Sequence, residues 1–242
     1  MRTHLVLATL SASALAHAIT GRDDCLPAGN YVLCQNLWGA DSGVGNQNST
    51  LISKNDNAVS WSTAWTWSNS ENSVKAYPNV EHLPAKSVQI GSIVSAPTTW
   101  DWRYTEQSPG MRADVAYDLW IGPTTSGTLA SPNSSYEIMI WLSSKGGVQP
   151  IGSRVISAVN LAGHNWDLWR GPNQNWEVFS FVILDGDEQA FNADLNEFIR
   201  YLIEKREMSS SQYLHSIQAG TEPFTGYADL LTQSYSVAIV TP

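Results

Sequence analysis

The feature that most constrains this chain is a series of short segments in which apolar and polar residues alternate, separated by turn residues about every ten positions. Side chains on a β-strand point alternately to opposite faces, so a two-residue period predicts strands. Many short strands at this spacing are typical of an antiparallel sandwich or barrel. The clearest segments are Ser60–Trp67, Val88–Val94, Met111–Ile121, Tyr136–Leu142, Trp176–Leu184, Gln212–Glu222 and Ser234–Val240.

One segment has a helical period instead. Its apolar residues are Leu195, Phe198, Ile199, Leu202 and Ile203. Asp194 and Glu197 have the spacing of a capping pair, and Lys205 and Arg206 fall in the last turn, where the helix dipole favours cations. We therefore predict one amphipathic helix, at about 194–207, that packs on a sheet and keeps its charged residues in solvent.

The N-terminus has the layout of a secretory signal peptide. Met1 to His4 precede an apolar run from Leu5 to Leu15, and Ala16-His17-Ala18 follows as a cleavage site of the A-x-A type. The run is shorter than the roughly 18 apolar residues of a transmembrane helix. We expect residues 1–18 to be removed and 19–242 to form a single, secreted domain.

Charge restricts the possible partners. The formal net charge is −9, and removal of Arg2 with the leader makes it more negative. Nucleic acids and anionic membrane surfaces attract basic patches, so this balance argues against both. A neutral or cationic partner fits better, and we expect a monomer without a cofactor.

Secretion gives two further expectations. Cys25 and Cys34 are the two cysteines of the chain, and in an oxidising compartment they are expected to form a local disulfide. The sequons at Asn48 and Asn133 predict N-glycosylation in exposed loops.

Tryptophan is abundant, with eleven residues in a chain that is only 14% charged. Its large ring is usually buried in a core, but its flat face also stacks on sugars. Composition alone does not decide between these uses.

The segment 136–142 has one apolar face and one mixed face. The apolar face comprises Tyr136, Ile138, Ile140 and Leu142. Glu137, Met139 and Trp141 share the other face. A carboxylate between a thioether and an indole is unusual on a solvated face and suggests a groove. The alternative, an exposed Glu137 at a sheet edge, remains open.

The preceding strand carries more acids on one face, which comprises Asp114, Ala116, Asp118 and Trp120. If the two strands are neighbours, Asp118 can lie beside Glu137, and carboxyls in contact tend to share a proton. The alternative is that Asp118 and Glu137 are unrelated surface acids.

Glu222 is the best second carboxylate. Pro223 restricts it to an extended conformation, and alternation places it on the same face as Gln218. Glycoside hydrolysis needs two carboxyl groups that flank the scissile bond, and Glu137 and Glu222 are the leading candidates. Glu177, beside Trp176, is the strongest competitor.

Other chemistries have little support in the sequence. His82, His164 and His215 are isolated and lack metal-ligand spacing, so we interpret them as structural or surface residues. Neither a phosphate-binding glycine-rich loop nor a G-x-S-x-G motif occurs.

Several ordered segments resemble glycoside hydrolase family 12. They are Asn36–Gly39, Asp114–Leu119, Tyr136–Leu142, Gly147–Gly152 and Gly220–Gly226. The resemblance implies a β-jelly roll sandwich of two curved antiparallel sheets with one helix, and hydrolysis of β-1,4-glucans with retention of configuration. The chain departs from the family's pattern between Cys25 and Trp38, where the tryptophan that binds a distal sugar in relatives is missing.

The same resemblance assigns roles to single residues. Glu137 would be the nucleophile, Glu222 the acid/base, Asp118 the acid that hydrogen-bonds the nucleophile, and Trp38 a sugar-stacking platform. Positions that line the cleft in relatives match Asn36, Met139, Asn173 and Gln218, and the strand face adds Trp141.

The substrate is less sharply defined. Segments 136–139, 99–102 and 217–220 look more like xyloglucan-specific members, whereas Gln149–Gly152 looks more like cellulases. We predict xyloglucan, with cellulose or mixed-linkage β-glucan as the alternative. A non-catalytic carbohydrate-binding protein, or a secreted protein recognised by a host as a signal, also remains open.

Overall fold

The computed structural model describes residues 17–131 and 133–242, which contain sixteen strands and one α-helix. The strands are β1 His17–Ile19, β2 Cys25–Ala28, β3 Tyr31–Cys34, β4 Val44–Lys54, β5 Val59–Ser68, β6 Asn79–His82, β7 Val88–Gln89, β8 Pro97–Gln107, β9 Arg112–Gly122, β10 Tyr136–Lys145, β11 Ser153–Leu161, β12 His164–Asn173, β13 Trp176–Ile183, β14 Ala190–Asp194, β15 Tyr213–Gly220 and β16 Pro223–Val237. The helix, α1, is Asn196–Arg206.

The strands form two curved sheets that share a long strand. The first sheet has the order β1-β4-β5-β16-β8-β14, and the second has the order β2-β3-β6-β15-β9-β10-β13-β12-β11, with β7 also on β15. Strand β16 starts beside β9 in the second sheet and continues into the first. The predicted all-β sandwich is therefore confirmed. One pair departs from the antiparallel pattern, because β10 and β13 run parallel.

An aromatic core fills the space between the sheets. Trp61, Trp65 and Trp67, which share a face of β5, are all buried in it. The ring centroid of Trp100 lies 4.9 Å from that of Tyr117 in an edge-on contact, a geometry that aromatic pairs prefer. Of the two uses that composition left open for tryptophan, these three residues therefore serve core packing.

Helix α1 packs on this core, but it is shorter than predicted. Phe198 contacts Phe181 with ring centroids 5.0 Å apart. Asp194 belongs to β14, so the helix begins after it. The Asp194 carboxylate accepts a hydrogen bond from the Asn196 backbone amide at 2.9 Å. Glu197 does not complete a capping pair, because its carboxylate accepts the Ala162 amide instead.

The predicted strand at 88–94 is mostly wrong. Only Val88–Gln89 pairs with β15, and Ile90–Ser92 forms a 3-10 turn. The amides of Ile90 and Gly91 donate to carbonyls of the loop that precedes β15. These bonds satisfy the backbone without a ladder, so alternation over a short apolar run was misleading here.

The N-terminal predictions are only partly covered. Residues 1–16 lie outside the described residues, and the predicted boundary at residue 18 falls inside β1, where Ala18 pairs with Thr50 and Ile19 is buried. The signal peptide therefore stays a prediction. No helix within 17–131 and 133–242 has the length and apolarity that a bilayer crossing needs.

The residues of the predicted disulfide and of the two predicted glycosylation sites all lie within the described part of the chain. The Cys25–Cys34 disulfide is present, and it joins directly opposed residues of the β2–β3 hairpin. Asn133 is exposed in the loop before β10. Asn48 does not lie in a loop as expected, because it pairs with Ala64 within β4.

Replacing both Cys25 and Cys34 with serine should lower the free energy of unfolding by about 2–3 kcal/mol, because the disulfide restricts the unfolded chain. Urea unfolding of the double variant and of wild-type protein in reductant should show the same loss. An unchanged unfolding midpoint would contradict the prediction.

Candidate active site

A cleft of about 860 Å³ crosses the face of the second sheet that points away from the aromatic core. Every residue predicted to act in catalysis or substrate binding lines this cleft: Asn36, Trp38, Asp118, Glu137, Met139, Trp141, Asn173, Gln218 and Glu222.

The order of strands brings these residues together. Strand β9 lies between β10 and β15, so Asp118 is opposite Met139 on one side and Gln218 on the other. Glu137 is opposite Trp120. Alternation then directs the acidic face of β9 and the mixed face of β10 into the same cleft.

Glu137 is held by an indole. Trp176, at the start of β13, donates its Nε1–H to Glu137 Oε2 at 2.6 Å. Burial raises the pKa of Glu137 to about 7, and the Trp176 hydrogen bond opposes that rise because it stabilises the charged form. The sequence marked Trp176 only as the neighbour of Glu177, so this contact was not predicted.

Asp118 is more deeply buried, with 5% exposure. Trp120 Nε1 donates to Asp118 Oδ2 at 2.8 Å, while Oδ1 has no partner among the described residues. Burial, followed by the charge of Glu137, raises the pKa of Asp118 well above its usual range. Asp118 is therefore suited to keep a proton while Glu137 carries the charge.

Glu222 lies between the end of β15 and the start of β16. The backbone is tightly packed just before it, because a Cβ on Gly220 would lie 2.3 Å from the Pro78 carbonyl oxygen. Burial raises the pKa of Glu222 well above its usual range, and the charges of Asp114, Glu137 and Asp118 add to the rise. Glu222 thus meets the requirement for a general acid.

Four carboxyl groups, of Asp114, Asp118, Glu137 and Glu222, are therefore gathered around the cleft floor. Within residues 17–131 and 133–242, none of the four forms an ion pair. Buried carboxylates without a cation resist ionisation, so this cluster retains protons near neutral pH.

Apolar and aromatic side chains surround the acids. Met139, Trp141, Trp176 and Phe224 pack together beneath the cleft. Trp38 is 57% exposed and lines the cleft, so its ring is available for stacking on a sugar. The tryptophans are thus divided between the core and the cleft.

The competing candidates are placed elsewhere. Arg170 makes two 2.7 Å hydrogen bonds to Glu177 and holds the pKa of that carboxyl below its usual range. Glu177 does not line the cleft.

His82 packs against Tyr31, and His215 Nε2 contacts the Thr124 carbonyl at 2.7 Å. The described part of the chain contains no cluster of His, Cys, Asp or Glu that could hold a metal ion.

A β-sandwich with two half-buried glutamates in an aromatic-lined open cleft is typical of a glycoside hydrolase. The family model described as "Glycosyl hydrolase family 12" matches residues 29–240. The chain therefore belongs to glycoside hydrolase family 12, whose members are endo-acting enzymes that retain anomeric configuration.

Individual relatives agree with this membership. The chain is 43% identical to a xyloglucan-specific endo-beta-1,4-glucanase A of Emericella nidulans, over 96% of this chain and 99% of that protein. It is 40% identical to the Aspergillus aculeatus protein of the same name, over 97% and 98%. Among solved structures, Trichoderma harzianum endoglucanase 3 is 37% identical with a TM-score of 0.86, covering 95% of this chain and 100% of that one.

A second solved structure is the catalytic domain of Humicola grisea Cel12A in complex with a thio cellotetraose. It is 34% identical with a TM-score of 0.86 and covers 93% of this chain and 99% of that one.

The acid cluster predicts that stability falls as pH rises from about 6.5 to 8. Carboxyls whose pKa is raised on folding bind more protons in the folded state, which gives a slope of about 1.4 kcal/mol per pH unit for each retained proton. Buried His82, whose pKa is lowered to about 4, opposes this trend only below its unfolded value of 6.5.

Urea unfolding across this window should therefore show a falling free energy of unfolding, with a smaller slope in Glu137→Gln. Glu177→Gln is the matched control, because a group with a lowered pKa acts only at more acidic pH. A flat profile for the wild type would be inconsistent with retained protons.

Proposed function

We propose that this glycoside hydrolase is a secreted xyloglucan-specific endo-β-1,4-glucanase that uses Glu137 as nucleophile and Glu222 as acid/base. The observation that carries the assignment of these roles is the convergence of the two glutamates on one cleft, where burial raises the pKa of both. One must be charged and the other protonated at the start of the reaction.

The reaction has two balanced steps. Glu137 attacks the anomeric carbon, the bond to the leaving oxygen breaks, and Glu222 transfers its proton to that oxygen. Glu222 then removes a proton from water, whose oxygen attacks the anomeric carbon and displaces Glu137. Two displacements return the carbon to its original configuration.

We expect the two carboxyls to lie at the roughly 5–5.5 Å separation of a retaining pair. Glu137 and Glu222 line the same cleft, and the charge of Glu137 raises the pKa of Glu222, so the two groups are close enough to interact. Asp118, on β9 between them, would donate its proton to Glu137.

The substrate assignment rests on the names of relatives that match nearly the whole chain, which are xyloglucan-specific endo-beta-1,4-glucanases. Trp38 would stack on a glucosyl ring, and Asn36, Asn173 and Gln218 supply polar groups along the cleft. Met139 and Trp141 would provide apolar contact from the floor.

Cellulose or mixed-linkage β-glucan is the second candidate. The structural neighbour from Humicola grisea is in complex with a thio cellotetraose. Gln149, Pro150 and Ile151, from the segment that looks like those of cellulases, also line the cleft.

Secretion is supported by the leader-like N-terminus and by the disulfide, which is stable in an oxidising compartment. We further propose that the enzyme acts as a monomer on its polysaccharide.

Glu137→Gln and Glu222→Gln should each lower kcat on a glucan more than about a thousandfold, because each removes a group that acts in the transition state. Reducing ends released from the polymer measure the rate. Glu177→Gln is the control and should retain activity within about twofold, since Glu177 lies outside the cleft. Substantial turnover by Glu137→Gln would refute its role.

Azide separates the two roles. In Glu222→Ala, azide should attack the glycosyl-enzyme formed from an activated aryl β-glucoside and give a β-glycosyl azide. In Glu137→Ala, azide should replace the nucleophile and give the α-anomer. Identification of the two azides by NMR checks the assignment, and the reverse pattern would exchange the roles.

Xyloglucan should be hydrolysed several-fold faster than carboxymethylcellulose and mixed-linkage β-glucan at equal mass concentrations. The relevant measurement is the initial rate of reducing-end release, with Glu137→Gln as the background control. Equal rates on the three polymers would favour the cellulase alternative.

A further inference from the structure

Asp114 is a fully buried acid directly behind Glu222. It lies on β9 four residues before Asp118, and alternation therefore puts both on the same face. Asp114 has 0% exposure and, unlike Asp118, does not line the cleft. A carboxyl group in this position cannot contact substrate, so its effect must be transmitted through a neighbour.

That neighbour is Glu222. The Glu222 amide donates to Asp114 Oδ1 at 3.0 Å, and the Asp114 amide donates to the Glu222 carbonyl oxygen at 3.3 Å. The Thr221 hydroxyl donates to the Asp114 carbonyl oxygen as well. Two bonds to Glu222 and one from Thr221 therefore fix the segment 221–222 against β9.

The carboxyl groups of Asp114 and Glu222 are also within hydrogen-bonding reach of each other. Asp114 Oδ2 is buried and has no hydrogen-bond partner among the described residues. Two ionised carboxylates have no hydrogen to donate, so this contact is a hydrogen bond only when the pair holds a proton.

Among the described residues, no basic side chain forms an ion pair with either carboxyl. Lys75, whose amide donates to the Pro223 carbonyl, directs its ammonium to the Ser70 and Ser73 carbonyls. Arg112, on β9, donates to the Glu71 and Gly146 carbonyls and to Asn72.

The titratable groups that act on Asp114 or Glu222 from the surrounding elements are Tyr77, Tyr104, Asp118 and Glu137. The Tyr77 hydroxyl donates to the Ala116 carbonyl at 3.0 Å, and both phenols stay neutral because burial raises their pKa. The surroundings therefore favour a pair with one negative charge over a pair with two.

We propose that Asp114 is a positioning residue that shares one proton with Glu222 and so sets the upper pH limit of catalysis. This inference rests on the proposed role of Glu222 as acid/base.

The direction of the pKa shifts agrees with the geometry. Burial raises the pKa of Asp114 to about 7, and its hydrogen bond with Glu222 lowers it. The pKa of Glu222 is raised first by burial, then by the charge of Asp114 and by the same hydrogen bond. Glu222 therefore holds the shared proton while Asp114 carries the negative charge.

The test is Asp114→Asn. The amide oxygen can still accept the Glu222 N–H, but the amide NH₂ donates permanently to the Glu222 carboxylate and stabilises its charged form. The alkaline limb of the kcat/KM profile on xyloglucan should therefore move at least about one pH unit toward acid. Asp167→Asn is the matched control, because Asp167 is buried but bonds Arg154 away from the cleft.

A merely structural role for Asp114 would lower activity equally at every pH and leave the limb in place, which would overturn the proposal. Asp167→Asn should reduce stability without moving the limb, and an equal movement in this control would also overturn it.

A second measurement does not need a variant of Asp114 that folds. Carboxyl ¹³C NMR of the wild type, with the Glu222 resonance identified by its loss in Glu222→Gln, should show a two-step titration shared with an aspartate. A single independent step would overturn the proposal. If the wild type hydrolyses no glucan, the proposed function fails, but this titration still tests the pair.

Discussion

Strand β9 is buried on both of its faces, and the rest of the structure depends on how those faces are used. Tyr117 points into the core and packs on Trp100, while Asp114 and Asp118 lie on the opposite face, where Asp118 lines the cleft and Asp114 is buried behind Glu222. A slip of one residue would exchange the two faces and put carboxyls among the core aromatics. Strands β10 and β15 pair with β9 on either side. The register of these two strand pairs therefore sets both the core contacts and the positions of the acids.

That arrangement places acids where water would otherwise stabilise their charge. Burial without a cation is unfavourable for carboxylates, and two features of the site offset it. Indole N–H groups of Trp120 and Trp176 each donate to one acid, and the cluster keeps protons that exposed acids would lose near pH 4. The same environment that reduces stability supplies a protonated acid at neutral pH, so cost and function have one cause.

Sequence reasoning found what depends on local pattern. Alternation predicted the faces of β9 and β10, and Pro223 marked Glu222 as a constrained acid, while the roles of the residues came from family resemblance. Contacts between distant segments were beyond it. The bond from the Glu222 amide to Asp114 joins residues 108 positions apart. The contact of Trp176 with Glu137 depends on the parallel pairing of β10 and β13, which no alternation pattern specifies.

The pairing of Asp114 with Glu222 also explains how one cluster can serve both steps of the proposed reaction. At the start, Glu137 carries one negative charge, and the Asp114–Glu222 pair carries another. When Glu137 forms the ester it becomes neutral, and the pair, having given its proton to the leaving oxygen, carries two charges. The total charge buried around the cleft is therefore unchanged by the first step. Loss of the Glu137 charge also removes one of the causes that raise the pKa of Glu222. Glu222 is thus easier to ionise at the stage when it must act as a base, and water returns the proton in the second step.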